Sequence, residues 1–154
     1  MEYWIDIHAP YEIDPTRIAG AAFGVSPATV AVAPRATQQS MDAWKRQDLF
    51  ALIQHERRPD AETDDRFPVT LAVAIRRDWP ACENPAVLER IAQALGAPIL
   101  SDIDVDGPDV WRLFWADGTS TAVYLDDDDN VILSDTDRNR LQRIIGMHRS
   151  VAAA

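Results

Sequence analysis

The chain predicts an α+β fold, a mainly antiparallel sheet with about four helices packed on it. Three observations predict it. Runs rich in β-formers follow one another across tight, aspartate-rich turns in the second half of the chain. Segments with apolar residues at helical spacing lie between the earlier β-like runs. Two of those segments open on a cap residue followed by proline and close on glycine, the usual start and stop chemistry of helices.

Tyr3-Trp4-Ile5-Asp6-Ile7-His8 alternates and reads as a strand. Asp14-Pro15 then opens a short, Ala-rich helix stopped at Gly24, and Thr29 to Ala33 forms a second strand closed by Pro34. Ser40 caps a predicted helix reaching about Glu56, with Met41, Trp44, Leu49, Leu52 and Ile53 on or near its buried side. Residues 57–66 are polar and acidic, contain Pro59, and read as a mobile surface loop.

Val69 to Ile75 is apolar enough for a central strand. Asn84-Pro85 repeats the cap-then-proline device. Leu88, Ile91, Ala92 and Leu95 follow at helical spacing up to Gly96, and a strand begins at Pro98-Ile99-Leu100. Trp111 to Trp115 and Thr119 to Leu125 pair across Ala116-Asp117-Gly118, where Asp-Gly signals a hairpin. Asp126 to Asn130 turns into Val131-Ile132-Leu133. Ser134 caps a last helix carrying Leu141, Ile144, Ile145 and Val151, with residues 150–154 as a frayed tail. The two strand–helix–glycine–strand stretches, around Asp14-Pro15 and Asn84-Pro85, read as weak copies of one β-α-β plan, although shared capping rules alone can produce the likeness.

At 154 residues, 47% hydrophobic and 26% charged, the chain has the size and composition of a single globular domain spanning 1–154. A lone cysteine, Cys82, rules out an internal disulfide and fits a reducing cytoplasm. The start of the chain lacks the basic and apolar run of a signal peptide, and no apolar stretch has membrane-spanning length. A pI near 4.6 argues against nucleic-acid phosphate as the partner. The expectation is a cytoplasmic protein bound to neither membrane nor nucleic acid.

The most informative feature is where the charge sits. Residues 101–130 hold nine aspartates against one base, Arg112, a net charge of −8 out of −10 for the whole protein. A surplus confined to one stretch is a local device rather than a general aid to solubility. Asp102-Ile-Asp104-Val-Asp106-Gly107 imitates the opening of a calcium loop, but Asp109 stands where an apolar residue belongs and Leu113 where the closing glutamate belongs. Alternation gives a simpler account, with Ile103 and Val105 inward and the aspartates outward. Asp126-Asp127-Asp128-Asp129 reads either as a solvated turn or as a site whose mutual repulsion a cationic partner relieves.

Nothing in the chain names a reaction. His8, His55 and His148 are isolated and read as surface or strand-end residues. Cys82 beside Glu83 reads as unreactive, and no nucleophile elbow, P-loop or dinucleotide glycine pattern occurs. No catalytic, metal-ligating or cofactor-binding residue is assigned. The residues expected to meet a partner are Asp102, Asp104, Asp106, Asp109, Asp126, Asp127, Asp128 and Asp129 as an acidic rim, with Trp111, Trp115 and Tyr124 as aromatic anchors beside it.

The segments Leu95-Gly-Ala-Pro-Ile-Leu-Ser-Asp102, Trp111-Arg-Leu-Phe-Trp-Ala-Asp-Gly118 and Val123-Tyr-Leu-Asp126 resemble small acidic bacterial proteins of the immunity class. Those proteins neutralise polymorphic or contact-dependent growth-inhibition toxins. The likeness covers about a third of the chain and lies in the order of helix, strand, acidic loop and Asp-Gly hairpin, without a diagnostic motif. It implies a cytoplasmic, non-enzymatic inhibitor that binds a cognate toxin domain, often a basic nuclease, and it transfers no individual residue role. The alternative is a regulatory or accessory domain binding a small cationic ligand or divalent metal; a small enzyme with an aspartate-based site ranks below both.

Overall fold

In the computed structural model, residues 2–14, 17, 30–33, 51–57, 66–76, 85–101, 110–128 and 130–153 are described. They form one sheet of eight strands: β1 (Glu2–Ala9), β2 (Val30–Ala33), β3 (Ala51–Arg57), β4 (Val69–Arg76), β5 (Ile99–Ser101), β6 (Val110–Phe114), β7 (Ser120–Leu125) and β8 (Val131–Ile132). The order across the sheet is β2-β3-β4-β1-β5-β6-β7-β8. Every adjacent pair is antiparallel except β2–β3. Two helices are described, α1 (Pro85–Leu95) and α2 (Asp135–Ala153).

The expectation of about four helices is therefore corrected to two among the described residues. The helix predicted from Ser40 to about Glu56 fails over its last turns. Residues 51–57 are a strand paired on both sides, Ile53 with Val32 and with Val73. Leu49, Leu52 and Ile53 fit a helical stripe, but a short apolar run fits a buried strand equally well, and neighbours on both edges decide the matter. The Ser40 cap and the body of the Asp14-Pro15 helix lie outside the described residues, apart from a turn in which Arg17 N donates to Asp14 O at 3.3 Å.

The proposed internal repeat also fails at the level of topology. The path from β1 to β2 passes over two intervening strands, whereas the path from β4 to β5 passes over only β1. Of the expected loop at 57–66, Arg57 belongs to β3 and Arg66 donates from Nη2 to the Val131 carbonyl at 2.6 Å; the residues between lie outside the described set. At the other end α2 runs on to Ala153, into the expected tail.

The halves of the sheet meet at one β1–β5 pair, His8 opposite Leu100, reinforced by Ser101 Oγ donating to the Asp6 carbonyl at 2.9 Å. Because side chains alternate, that register sorts every later residue between two faces. On one face Leu100, Leu113, Val123 and Val131 are buried together with Phe67 and with Leu141 of α2; Trp111, Leu125, Ile144 and Ile145 pack around them. The opposite face holds Ile7, Leu71, Ile99 and Phe114, all fully buried.

Helix α1 has Pro85 at its first position and buries Val87, Leu88, Ile91, Ala92 and Leu95 along one stripe. Gly96, at φ 63°, ends it in a Schellman arrangement in which Ala97 N donates to Ala92 O. Helix α2 starts as expected: Ser134 Oγ accepts from Asp137 N at 3.2 Å.

Leu113 is fully buried at the centre of the α2-side cluster. Leu113→Ala should lower unfolding stability by about 2–5 kcal/mol, read as a shift of the denaturant midpoint at unchanged m-value. A loss below that range would mean the sheet and α2 do not share a close-packed core.

Candidate functional site

The acidic end of the sheet is built from two hairpins. In the first, Trp115 N donates to Thr119 O at 2.8 Å and Gly118 N to Trp115 O at 3.1 Å, a turn followed by Gly118 at φ 90°. This is the three-residue hairpin with a left-handed glycine closing it. Any other residue at 118 is strained by that φ, and its Cβ would also press on the Gln93 amide. In the second hairpin Asp126 N donates to Asn130 O at 2.8 Å, which closes the β7–β8 connection.

Two of the aspartates prove to be framework. Asp126 Oδ1 accepts from the backbone N–H of Asp128 at 2.8 Å and of Asn130 at 3.0 Å, so its charge shapes its own turn. Asp117 Oδ1 accepts from Thr119 N at 2.8 Å and Thr119 Oγ1 at 2.6 Å, while its Oδ2 accepts from Arg140 at 2.8 Å. Chiefly through the Thr119 hydroxyl bond, then the Thr119 amide and Arg140, the Asp117 carboxyl is held down at about 2. The same Arg140 guanidinium lies 4.2 Å over the Trp115 ring, which ties α2 to the first hairpin.

Apart from Asp126, which holds its own turn, the expected partner residues fall into three groups. Asp102, Asp104, Asp106, Asp109 and Asp129 lie outside the described residues. Trp115 is only 2% exposed and belongs to the core, and Trp111 is half-buried with its ring 5.5 Å from that of His8. Neither tryptophan is placed as a surface anchor: the side of the strands that carries Trp111 and Leu113 is the side α2 covers. Tyr124, by contrast, is 60% exposed, and Asp127 and Asp128 are exposed in the adjoining turn.

Sequence reasoning missed the residue that completes this patch. Ile132, 57% exposed, stands opposite Tyr124 in the β7–β8 ladder, and Val110 stands opposite Tyr124 on the other side. Cross-strand register therefore gathers Val110, Tyr124 and Ile132 into one row on the face away from α2, with Asp127 and Asp128 at its end. The available signal was strand parity, since Ile132 alternates with the inward Val131.

Two histidines are held by contacts the sequence does not show, although His8 keeps its expected place at the end of β1. His8 is buried, with Nδ1 and Thr70 Oγ1 sharing a hydrogen bond of 3.1 Å. His148 is half-buried and stacks on Tyr11 at 3.7 Å between ring centroids. Burial pushes the Tyr11 phenol above its ordinary value. Among the described residues no cluster of three or more His, Cys, Asp or Glu is placed to hold a metal ion, and no helix is long and apolar enough to cross a membrane.

Compared with known proteins, the chain matches no family model, no curated protein and no solved structure.

The pH dependence of stability follows from Asp117. Its carboxyl ionises more readily in the folded chain than in the unfolded one, so its contribution is complete above the ordinary value of 3.8 and is lost as pH falls towards 2. Asp117→Asn should therefore flatten the pH 4 to 2 portion of a melting-temperature profile. An acid limb identical to the wild type would show that the Thr119 and Arg140 contacts do not favour the ionised form.

Proposed function

We propose that this protein is a non-enzymatic binding protein of the immunity class, which neutralises a cognate, basic toxin domain through the β7–β8 end of its sheet. The observation that carries the reading is the exposed row of Tyr124 and Ile132, in register and ending at the uncompensated carboxylates of Asp127 and Asp128. Neither aspartate takes an ion pair among the described residues.

Each part has a physical role. A tyrosine offers a large contact area and a hydroxyl at little entropy cost, which is why tyrosines dominate binding energy at interfaces. Carboxylates around such an anchor steer an oppositely charged partner and raise the association rate more than the affinity. The surplus of −8 over residues 101–130 supplies that field. Asp126 stands apart, since its carboxylate serves the turn.

The test is protection. The product of the gene beside this one is expressed as the toxin in a sensitive strain, with and without this chain. Growth should be rescued by the wild type and lost with Tyr124→Ala. Rescue undiminished by that change would place the binding surface elsewhere, and no rescue by the wild type would defeat the immunity reading. In purified form, Asp127→Asn with Asp128→Asn should slow association roughly threefold to tenfold at low salt. The difference should shrink as salt rises, because screening already weakens the wild type. Equal association rates at low salt would make these residues a solvated turn only.

A further inference from the structure

Among the described residues, four large apolar side chains are exposed, and they fall into two pairs of opposite surroundings. Tyr124 and Ile132 adjoin the carboxylates of Asp127 and Asp128. Met147 and Val151, 64% and 76% exposed, lie on α2 one turn apart, in a stretch whose charges are all positive: residues 138–149 contain four arginines and no acid. Arg143, one turn before Met147 and on the same side of the helix, is exposed and holds no ion pair among the described residues.

Met147 and Val151 line a groove of about 290 Å³ together with Tyr11, Gly96, Ile144 and His148. That volume lies at the lower limit of small-molecule pockets, which run to about 300–1,000 Å³, and the lining lacks the set of converging polar groups that orients a metabolite. The groove suits one large side chain, and an aromatic one gains from the Met147 thioether and the Tyr11–His148 stack. The charge around the groove calls for a side chain that arrives with carboxylates. This chain carries one.

We propose that copies of this chain associate head to tail, with Tyr124 of one copy seated in the α2 groove of the next and the Asp127–Asp128 turn meeting Arg143. The two patches sit on opposite sides of the sheet: α2 packs on the Leu100–Leu113–Val123 face, whereas Tyr124 and Ile132 stand on the other. They are not self-complementary, so the contact is heterologous and extends in series instead of closing as a two-fold dimer. The inference does not depend on the proposed function, because it concerns the purified chain alone. A basic partner would compete for the same acidic patch.

Sedimentation velocity of the full chain across a concentration series, at near-physiological and at molar salt, tests this. The wild type should show mass increasing with concentration at near-physiological salt and a largely monomeric boundary at molar salt. Tyr124→Ala, which spoils the acidic patch, and Val151→Glu, which spoils the groove, should each be monomeric alone. An equimolar mixture of the two restores one intact contact and should give a dimer and nothing larger. Arg143→Glu serves as a second groove-side variant, with unchanged circular dichroism as the control for folding. A wild type monomeric at the highest concentration overturns the proposal. So does association that Tyr124→Ala abolishes but neither Val151→Glu nor Arg143→Glu affects, which would mean an acidic patch meeting its own like.

Discussion

A single antiparallel pair, His8 opposite Leu100, joins the two halves of the sheet and decides which face every residue beyond it occupies. Strand side chains alternate, so a slip of one residue there would exchange the buried and exposed sets of β5 to β8 together. In the observed register Leu100, Leu113, Val123 and Val131 meet Leu141 of α2. In the slipped one, Arg112, Tyr124 and Ile132 would turn towards the helix instead. The burial of Ile99, Leu100 and Ser101 alike shows why the seam tolerates no such slip: β5 is covered on both sides, and each of its residues already has a neighbour to match.

The acidic end inherits its geometry from that seam. Tyr124 and Ile132 are exposed, and Val110 half-buried beside them, because the three oppose one another across strands whose alternate residues are engaged by α2. The two aspartate turns then divide their labour. Asp117 and Asp126 spend their charge on backbone amides, on Thr119 and on Arg140, whereas Asp127 and Asp128 leave theirs to solvent. One charged segment thus holds two hairpins in shape and projects a field, and the aspartates responsible for each are different.

Much of the sheet was legible in the sequence. Alternation and turn chemistry located β1, β2, β4 and the three strands from β6 to β8, and Ser134 and Pro85 located the starts of both described helices. The strand at 51–57 was not legible, because Leu49, Leu52 and Ile53 satisfy a helical period and only pairing with β2 and β4 rules against it. The candidate site was half legible for a related reason. Composition revealed the charge and named Trp111, Trp115 and Tyr124 together, but local sequence does not say which face of a two-faced sheet a helix will cover. That depends on α2, which packs the tryptophan side and leaves Tyr124 and Ile132 outside. Val151, which shares the last helix with Leu141, Ile144 and Ile145, is 76% exposed and lies beyond the core that Leu141 and Ile145 join.

The claim underlying all of this is that the register at the seam puts one face of β5 to β8 under α2 and leaves Tyr124 and Ile132, on the other face, open to solvent. Proton–proton contacts to the methyl groups of Leu141 measure it directly. They should connect Leu141 with Leu100, Leu113, Val123 and Val131, and with neither Tyr124 nor Ile132. Contacts from Leu141 to Tyr124 or Ile132 would mean that the faces are exchanged and that the exposed row does not exist.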